Sequence, residues 1–179
     1  MAIGYSKPTN KAGFTLVELV VVIVLLSILG AVALPRFINL RESARISALN
    51  AVAGTLQSTA TMVKAKARLS GLAAVSANPG GSSQTGYQVD FPFGTTEVDW
   101  RNLCPESEAE TGDRLTMLDF IELSGDMQSR TNNQYTLIGY DIPPGFSVPT
   151  NQGCYVIYDS FGNPDCTVTV VTADCNESP

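Results

Sequence analysis

Glu18 stands inside a run of apolar residues, Phe14 to Leu34 (FTLVELVVVIVLLSILGAVAL), where an ionised side chain has little water to solvate it. A carboxylate in the middle of such a span costs about 2.5 to 3.5 kcal/mol on insertion scales, and less near an end, so it points to a partner or a function. The carboxylate needs a cation. A cut between Gly13 and Phe14 supplies one, because the new α-amino group of Phe14 falls about one helical turn from Glu18. A neighbouring subunit's amine, offset by about a turn, serves equally and sets the register of an assembly.

Four cysteines, Cys104, Cys154, Cys166 and Cys175, all lie beyond the apolar run and contain no C-x-x-C pair. An even count confined to the distal part favours disulfides in an oxidising compartment over metal binding, with three connectivities open. Two acidic groups offer hard oxygen ligands of the kind that hold Ca²⁺. Glu106, Glu108, Glu110 and Asp113 flank Pro105 and Gly112, while Asp159, Asn163 and Asp165 fall in a hairpin turn. Neither group matches an EF-hand, and solvated acidic loops are common, so no bound metal is expected. Trp100 with Tyr155 and Tyr158 offers a sugar-binding surface, although a lone Trp more often packs in a core. Asn176-Glu177-Ser178 fits a glycosylation sequon.

Histidine is absent, which removes Ser-His-Asp and Cys-His nucleophiles, imidazole zinc sites and imidazole pH switches. Neither G-x-x-x-x-G-K-[ST] nor G-x-G-x-x-G occurs, so nothing cradles a nucleotide. A non-enzyme without a cofactor is the expectation. Beyond Ser70, fifteen acids face only Arg101, Arg114 and Arg130, a net charge of −12. Nucleic-acid binding by that part is disfavoured, since phosphate contacts need Lys and Arg.

The elements that position these residues begin with the apolar run, about 31 Å long as a helix and close to the roughly 30 Å hydrocarbon thickness of a bilayer. Lys7 and Lys11 precede it without an acid, consistent with a cytoplasmic start, although Arg36, Arg41 and Arg45 on the other flank blunt the positive-inside signal. Gly30-Ala31-Val32-Ala33 imitates a signal-peptide cleavage site, but the run is too long for one and carries Glu18. A single-span anchor is the plain alternative.

Lys11-Ala12-Gly13-Phe14-Thr15-Leu16-Val17-Glu18 and the apolar run after it resemble the class III signal of type IV prepilins. A short basic leader, Gly before the cut, Phe after it and Glu at the fifth mature position carry the likeness, and Pro35 falls at the twenty-second mature position, where many type IV pilins have Pro. Pro35-Arg36-Phe37-Ile38-Asn39-Leu40-Arg41-Glu42-Ser43-Ala44-Arg45 further resembles the mannose-sensitive haemagglutinin (MSHA) branch of type IVa pilins, with its P-[KR]-F-[LI]-N-L-x-x-x-A-R run. The resemblance implies cleavage at Gly13/Phe14 by a prepilin peptidase, N-methylation of Phe14, storage in the inner-membrane bilayer and assembly by an inner-membrane platform. The product is a homopolymeric extracellular filament, used for adhesion and biofilm formation, with Glu18 as the assembly residue. A type II secretion pseudopilin shares these signals and is the nearest rival; a minor pilin and a membrane-anchored periplasmic binding domain are further alternatives.

After Pro35, Ile46, Leu49, Val52, Ala53, Leu56, Ala60, Val63 and Ala67 recur at three- and four-residue intervals, which predicts an amphipathic helix lying against a globular head. Pro35 removes a backbone hydrogen bond and Gly30 weakens the turn before it, predicting a kink or local melting. Asn78-Pro79-Gly80-Gly81-Ser82-Ser83 predicts the end of that helix, Asp113 to Leu123 a short second helix, and Gly86–Phe91, Tyr135–Tyr140, Cys154–Tyr158 and Thr167–Thr172 strands. The fold expected is α+β, a long N-terminal helix on a small antiparallel sheet. It divides into a leader (1–13), a membrane and filament-core helix (14–35), an amphipathic half (36–70) and a head (71–179). Bridging Cys154 to Cys175 would resemble the C-terminal disulfide loop of type IV pilins and leave Cys104 with Cys166; Cys154–Cys166 with Cys104–Cys175 stays open beside it.

Gly13→Glu is expected to abolish processing, leaving a precursor heavier by the thirteen-residue leader and no filaments. Mature protein of normal size on a denaturing gel would exclude the Gly13/Phe14 site.

Overall fold

The structure, a computed structural model, describes residues 13–81, 85–110, 112–145 and 150–176. The leader before Gly13, with Lys7 and Lys11, lies outside them, as do Ser82 and Ser83 of the expected turn and Glu177 and Ser178 of the sequon.

Leu16–Leu69 form one helix, α1, which runs without interruption through Gly30 and Pro35. Its end is set by Gly71 rather than by the later Asn78 turn. Gly71 takes φ +85°, a conformation an L side chain resists, and its N–H bonds to the Arg68 carbonyl at 3.1 Å while the Leu72 N–H reaches the Ala67 carbonyl at 3.0 Å. These two bonds are a Schellman stop, and Leu72 packs with Ala67 in the same apolar cluster, as such stops favour. Asn78 makes a separate turn, its Oδ1 accepting the Gly80 N–H at 2.7 Å.

The chain divides between Leu40 and Arg41 into two compact units. In the second, the rest of α1 meets an antiparallel sheet of four strands, β3 (Gln128–Thr131), β4 (Tyr135–Asp141), β5 (Cys154–Asp159) and β6 (Thr167–Val171), in simple sequential order. A separate hairpin joins β1 (Gln88–Phe91) to β2 (Gly94–Glu97). The period-2 pattern of β4 to β6 sorts side chains to two faces. Ile138, Val156, Tyr158, Val168 and Val170 pack with Leu49, Ala53, Leu56 and Ala60 of α1 in the main core, while Leu137, Tyr155 and Val171 form a second cluster. Val63 and Ala67 continue the helix stripe onto Val89, Val98 and Leu103 beside the β1–β2 hairpin. Gly139 is required where β4 crosses β5, because a Cβ there would lie 2.3 Å from the Cys154 carbonyl oxygen.

The predicted helix from Asp113 to Leu123 is not formed; only Met117–Phe120 make a single 3-10 turn. Backbone groups that an α-helix would need are used elsewhere. The Leu115 N–H bonds to the Thr95 carbonyl at 2.9 Å, and the Met117 N–H bonds to the Glu106 carbonyl at 2.9 Å. Strands β2 and β3 were invisible as patterns, since Gly-Thr-Thr-Glu and Gln-Ser-Arg-Thr carry no apolar alternation.

Two disulfides close the head, Cys104–Cys166 and Cys154–Cys175, with Cα separations of 6.2 and 4.7 Å. The second joins the start of β5 to the turn after β6, and a cation from α1 stands beside each bridge. Arg45 Nη1 donates to the Cys175 carbonyl at 3.1 Å, and Lys64 pairs with Asp165, the residue before Cys166. Replacing Cys154 and Cys175 together by Ser is expected to destabilise the head by about 3 kcal/mol, the chain-entropy value for a loop of this size. Urea unfolding of the full chain in detergent, followed by Trp100 fluorescence, measures it; a loss below about 1 kcal/mol would show that the bridge contributes little to stability.

Candidate functional site: the N-terminal end of α1

Thr15 and Glu18 cap α1 reciprocally. The Glu18 carboxylate accepts the Thr15 N–H at 2.9 Å and the Thr15 hydroxyl at 2.7 Å, while Thr15 Oγ1 accepts the Glu18 N–H at 3.3 Å. This is a capping box, and it holds the negative charge at the helix N-terminus, where the macrodipole favours it. The T-x-x-E spacing before an apolar run is the sequence sign of such a box, and the reading of Glu18 as a charge in search of a cation passed over it. In the uncut chain Glu18 is thus satisfied within its own first turn, next to the peptide group that a cut before Phe14 would turn into an amine. Gly13 is open: a Cβ built on it meets nothing within 4 Å, so packing inside the chain does not demand a glycine there.

Behind the cap, Leu16–Leu34 form a span with mean hydropathy 2.9 and no buried share. Phe14 is 83% exposed, and large apolar side chains remain exposed from Leu16 to Leu34 and again at Phe37 and Leu40. The hydroxyl of Ser27 donates to the Ile23 carbonyl at 2.6 Å, so this polar group of the span is satisfied without water. A surface of this extent and hydropathy requires an apolar environment, either lipid or protein.

The other predicted positions are scattered. Asp159 Oδ1 accepts the Phe161 N–H at 2.9 Å and the Gln134 side-chain amide at 3.1 Å, whereas Asp165 turns to Lys64. Asp159 and Asp165 therefore face different partners. Trp100, Tyr155 and Tyr158 are buried, and the two phenols donate to the Thr150 and Pro105 carbonyls, each at 2.6 Å, so they do not make a sugar-binding surface. Burial pushes the Tyr158 phenol well above its usual range.

One group emerges that spacing alone did not collect. Glu97, Asp99 and Glu106 are all buried, and Glu110 joins them through its N–H, which donates to Glu97 Oε2 at 2.9 Å. Arg101 pairs with Asp99 and stacks on Trp100 and Phe161, 4.2 and 4.3 Å from their ring centroids. Burial, then repulsion from Glu110, Asp99 and Glu97, pushes the Glu106 carboxyl up to about 8. Asp99 is raised too, chiefly by burial and against the pull of Arg101. Glu108 and Asp113, paired with Glu106 and Glu110 by sequence proximity, stay on the solvent side.

Comparison with known proteins bears on the N-terminal end. Residues 8–34 match the family described as the prokaryotic N-terminal methylation motif. The chain is 39% identical over 75 residues to the type IV narrow pilus major component PilA5 of Thermus thermophilus, a match covering 41% of this chain. It spans 65% of that relative's length, just under two thirds. No solved structure matches. The methylation motif over a capped, exposed apolar helix and the likeness to a pilus component make the N-terminal end of this chain similar to that of a type IV pilus subunit.

Proposed function

We propose that the chain is the structural subunit of a type IV pilus, cut between Gly13 and Phe14 by a prepilin peptidase and N-methylated on Phe14. Its apolar segment holds it in the inner membrane, N-terminus toward the cytoplasm, until an assembly platform polymerises it with other copies of itself. The observation that carries this reading is the wholly exposed span from Leu16 to Leu34, with Glu18 as its lone charge. Lipid and the same span of neighbouring copies are the two apolar environments that would cover it in turn. The open backbone at Gly13 is what a peptidase needs, and the absence of any packing demand for Gly there suits selection by an enzyme rather than by the fold.

Cutting the chain changes the electrostatics of the cap. A new ammonium at Phe14 stands beside the Thr15–Glu18 box, and an offset neighbour's ammonium can engage the same carboxylate. In a medium where an unpaired carboxylate costs kcal/mol, that second pairing favours one axial register over others. Gly30 and Pro35 give α1 two weak turns at which the helix can loosen during assembly. The likeness of Pro35 to Arg45 to the MSHA branch supports a surface filament for adhesion and biofilm formation. The Cys154–Cys175 loop supports a pilus subunit over a pseudopilin.

Sheared surface filaments from producing cells are expected to contain this chain with N-methylated Phe14 at its start, read by peptide mass spectrometry. Abundant mature protein that stays in the envelope, with no filament, would favour the pseudopilin instead. Glu18→Ala is expected to leave membrane levels unchanged and to reduce filament yield severely, with Glu18→Asp intermediate. Normal filament numbers in the alanine variant at equal membrane protein would refute charge pairing as the source of register.

A further inference from the structure

The two disulfides of the head differ in what surrounds their sulfurs. Cys154 and Cys175 are both wholly buried in the main core, and Arg45, itself buried, donates to the Cys175 carbonyl. Cys104 is equally buried, but its partner Cys166, just before β6, is partly exposed. Cys166 lines an open cleft of about 170 Å³, together with Thr61 and Lys64 of α1 and Asp165. Solvent therefore reaches one cysteine of the four, and an external thiol has one route to a bridge.

Charge is arranged around that same end. Asp165 Oδ1 lies 3.4 Å from Cys104 Sγ and 3.6 Å from Cys166 Sγ, so one carboxylate oxygen stands against both sulfurs of the bridge. Neither sulfur carries a proton while it is bonded to the other, so no hydrogen bond holds the carboxylate there. Lys64 does: its ammonium pairs with the same oxygen, and its side chain is largely covered while that of Asp165 is 55% exposed. The attacking species in disulfide exchange is a thiolate. A carboxylate beside both sulfurs repels an approaching thiolate and disfavours negative charge on the sulfur that leaves. Asp165 thus opposes a reaction that the cleft otherwise admits, and Lys64 offsets part of its field.

We propose that Cys166 is the head's site of thiol–disulfide exchange, where a low-molecular-weight thiol forms a mixed disulfide at a rate that Asp165 limits. The external thiolate attacks Cys166 Sγ, the bond to Cys104 Sγ breaks, and its electron pair passes to Cys104, which takes a proton from water. A second external thiolate attacks the outer sulfur of the mixed disulfide and releases Cys166 as a thiolate. The bridge gains two electrons, and two external thiols are oxidised to their disulfide. Attack begins at Cys166 because Cys104 is wholly buried. In the opened head the Cys104 thiol has an acceptor at hand in Asp165 Oδ1, so its S–H is not left unpaired. Opening this bridge releases a link across 62 residues of sequence, while Cys154–Cys175 stays closed inside the core.

Full-length protein in detergent, incubated with glutathione or cysteamine without denaturant, is quenched with acid, unfolded, labelled with N-ethylmaleimide and peptide-mapped. Thiol adducts are expected on Cys166 and maleimide on Cys104, with Cys154 and Cys175 still joined. Cysteamine, which carries an ammonium, is expected to react faster than the anionic glutathione. Asp165→Asn is expected to raise the glutathione rate by about tenfold, the order of effect of one unit charge a few ångströms from the reacting sulfur even in water. The same variant should shrink the difference between the two thiols, which a merely loosened cleft would not do. Asp113→Asn, an exposed acid elsewhere on the head, should leave both rates unchanged. No adduct, equal modification of all four cysteines, or earlier opening of Cys154–Cys175 would overturn Cys166 as the entry point. An unchanged rate in Asp165→Asn, or an equal gain for both thiols, would overturn the role given to Asp165.

Discussion

The stripe of Leu49, Ala53, Leu56, Ala60, Val63 and Ala67 along α1 is the surface on which the head is built. These side chains are almost wholly buried, and each of the large ones contributes about 1.5 to 3 kcal/mol by leaving water. Sheet strands β4 to β6 cover its first half and the β1–β2 hairpin its second, so the order of elements in the head follows the length of the stripe. From Leu16 to Leu34 no one-sided stripe exists, because apolar side chains fall on every face and the large ones are exposed among the described residues. The same helix therefore serves two environments, and the change from an all-round apolar surface to a one-sided one marks where the chain's own core begins.

Charge then fastens what hydrophobic packing has assembled. Arg45, buried and set 5.1 Å from the Tyr140 ring centroid, donates to a carbonyl of the cysteine that closes the last loop. A hydrogen bond from a charged donor in such surroundings is worth about 1.5 to 3 kcal/mol. The Lys64–Asp165 pair, half open to water on the acid's side, contributes at most about 1 kcal/mol. The two disulfides outweigh both pairs by restricting the unfolded chain across 62 and 21 residues of sequence. A head with this many turns and short strands depends on such staples more than a larger core would.

At the two places where carboxylates leave bulk water, the solutions differ. Glu18 finds donors within its own turn, the N–H and hydroxyl of Thr15. Glu106 finds none for one of its oxygens, and its surroundings are acidic. The first arrangement is local, while the second exists because β2 and the 105–110 segment close over one another.

What the sequence by itself determined is whatever depends on neighbours within a few residues. The apolar run, the position of Glu18 within it, the amphipathic period after Pro35 and strands β4 to β6 all follow from side-chain order, since helices and strands expose that order directly as faces. Even the capping box at Thr15 was written in a local T-x-x-E spacing. The tertiary structure alone decided the remainder. Asp113 to Leu123 has a helical period, yet its backbone bonds to Thr95 and Glu106 instead. Strands β2 and β3 exist because partners supply their hydrogen bonds, not because their side chains alternate. Glu97 and Glu106 become backbone neighbours through the Val98–Pro105 bridge, whereas Asp159 and Asp165, six residues apart, are drawn to different partners. Backbone groups pair with whatever the closing core brings within reach, and that choice is made between segments that the linear order keeps apart.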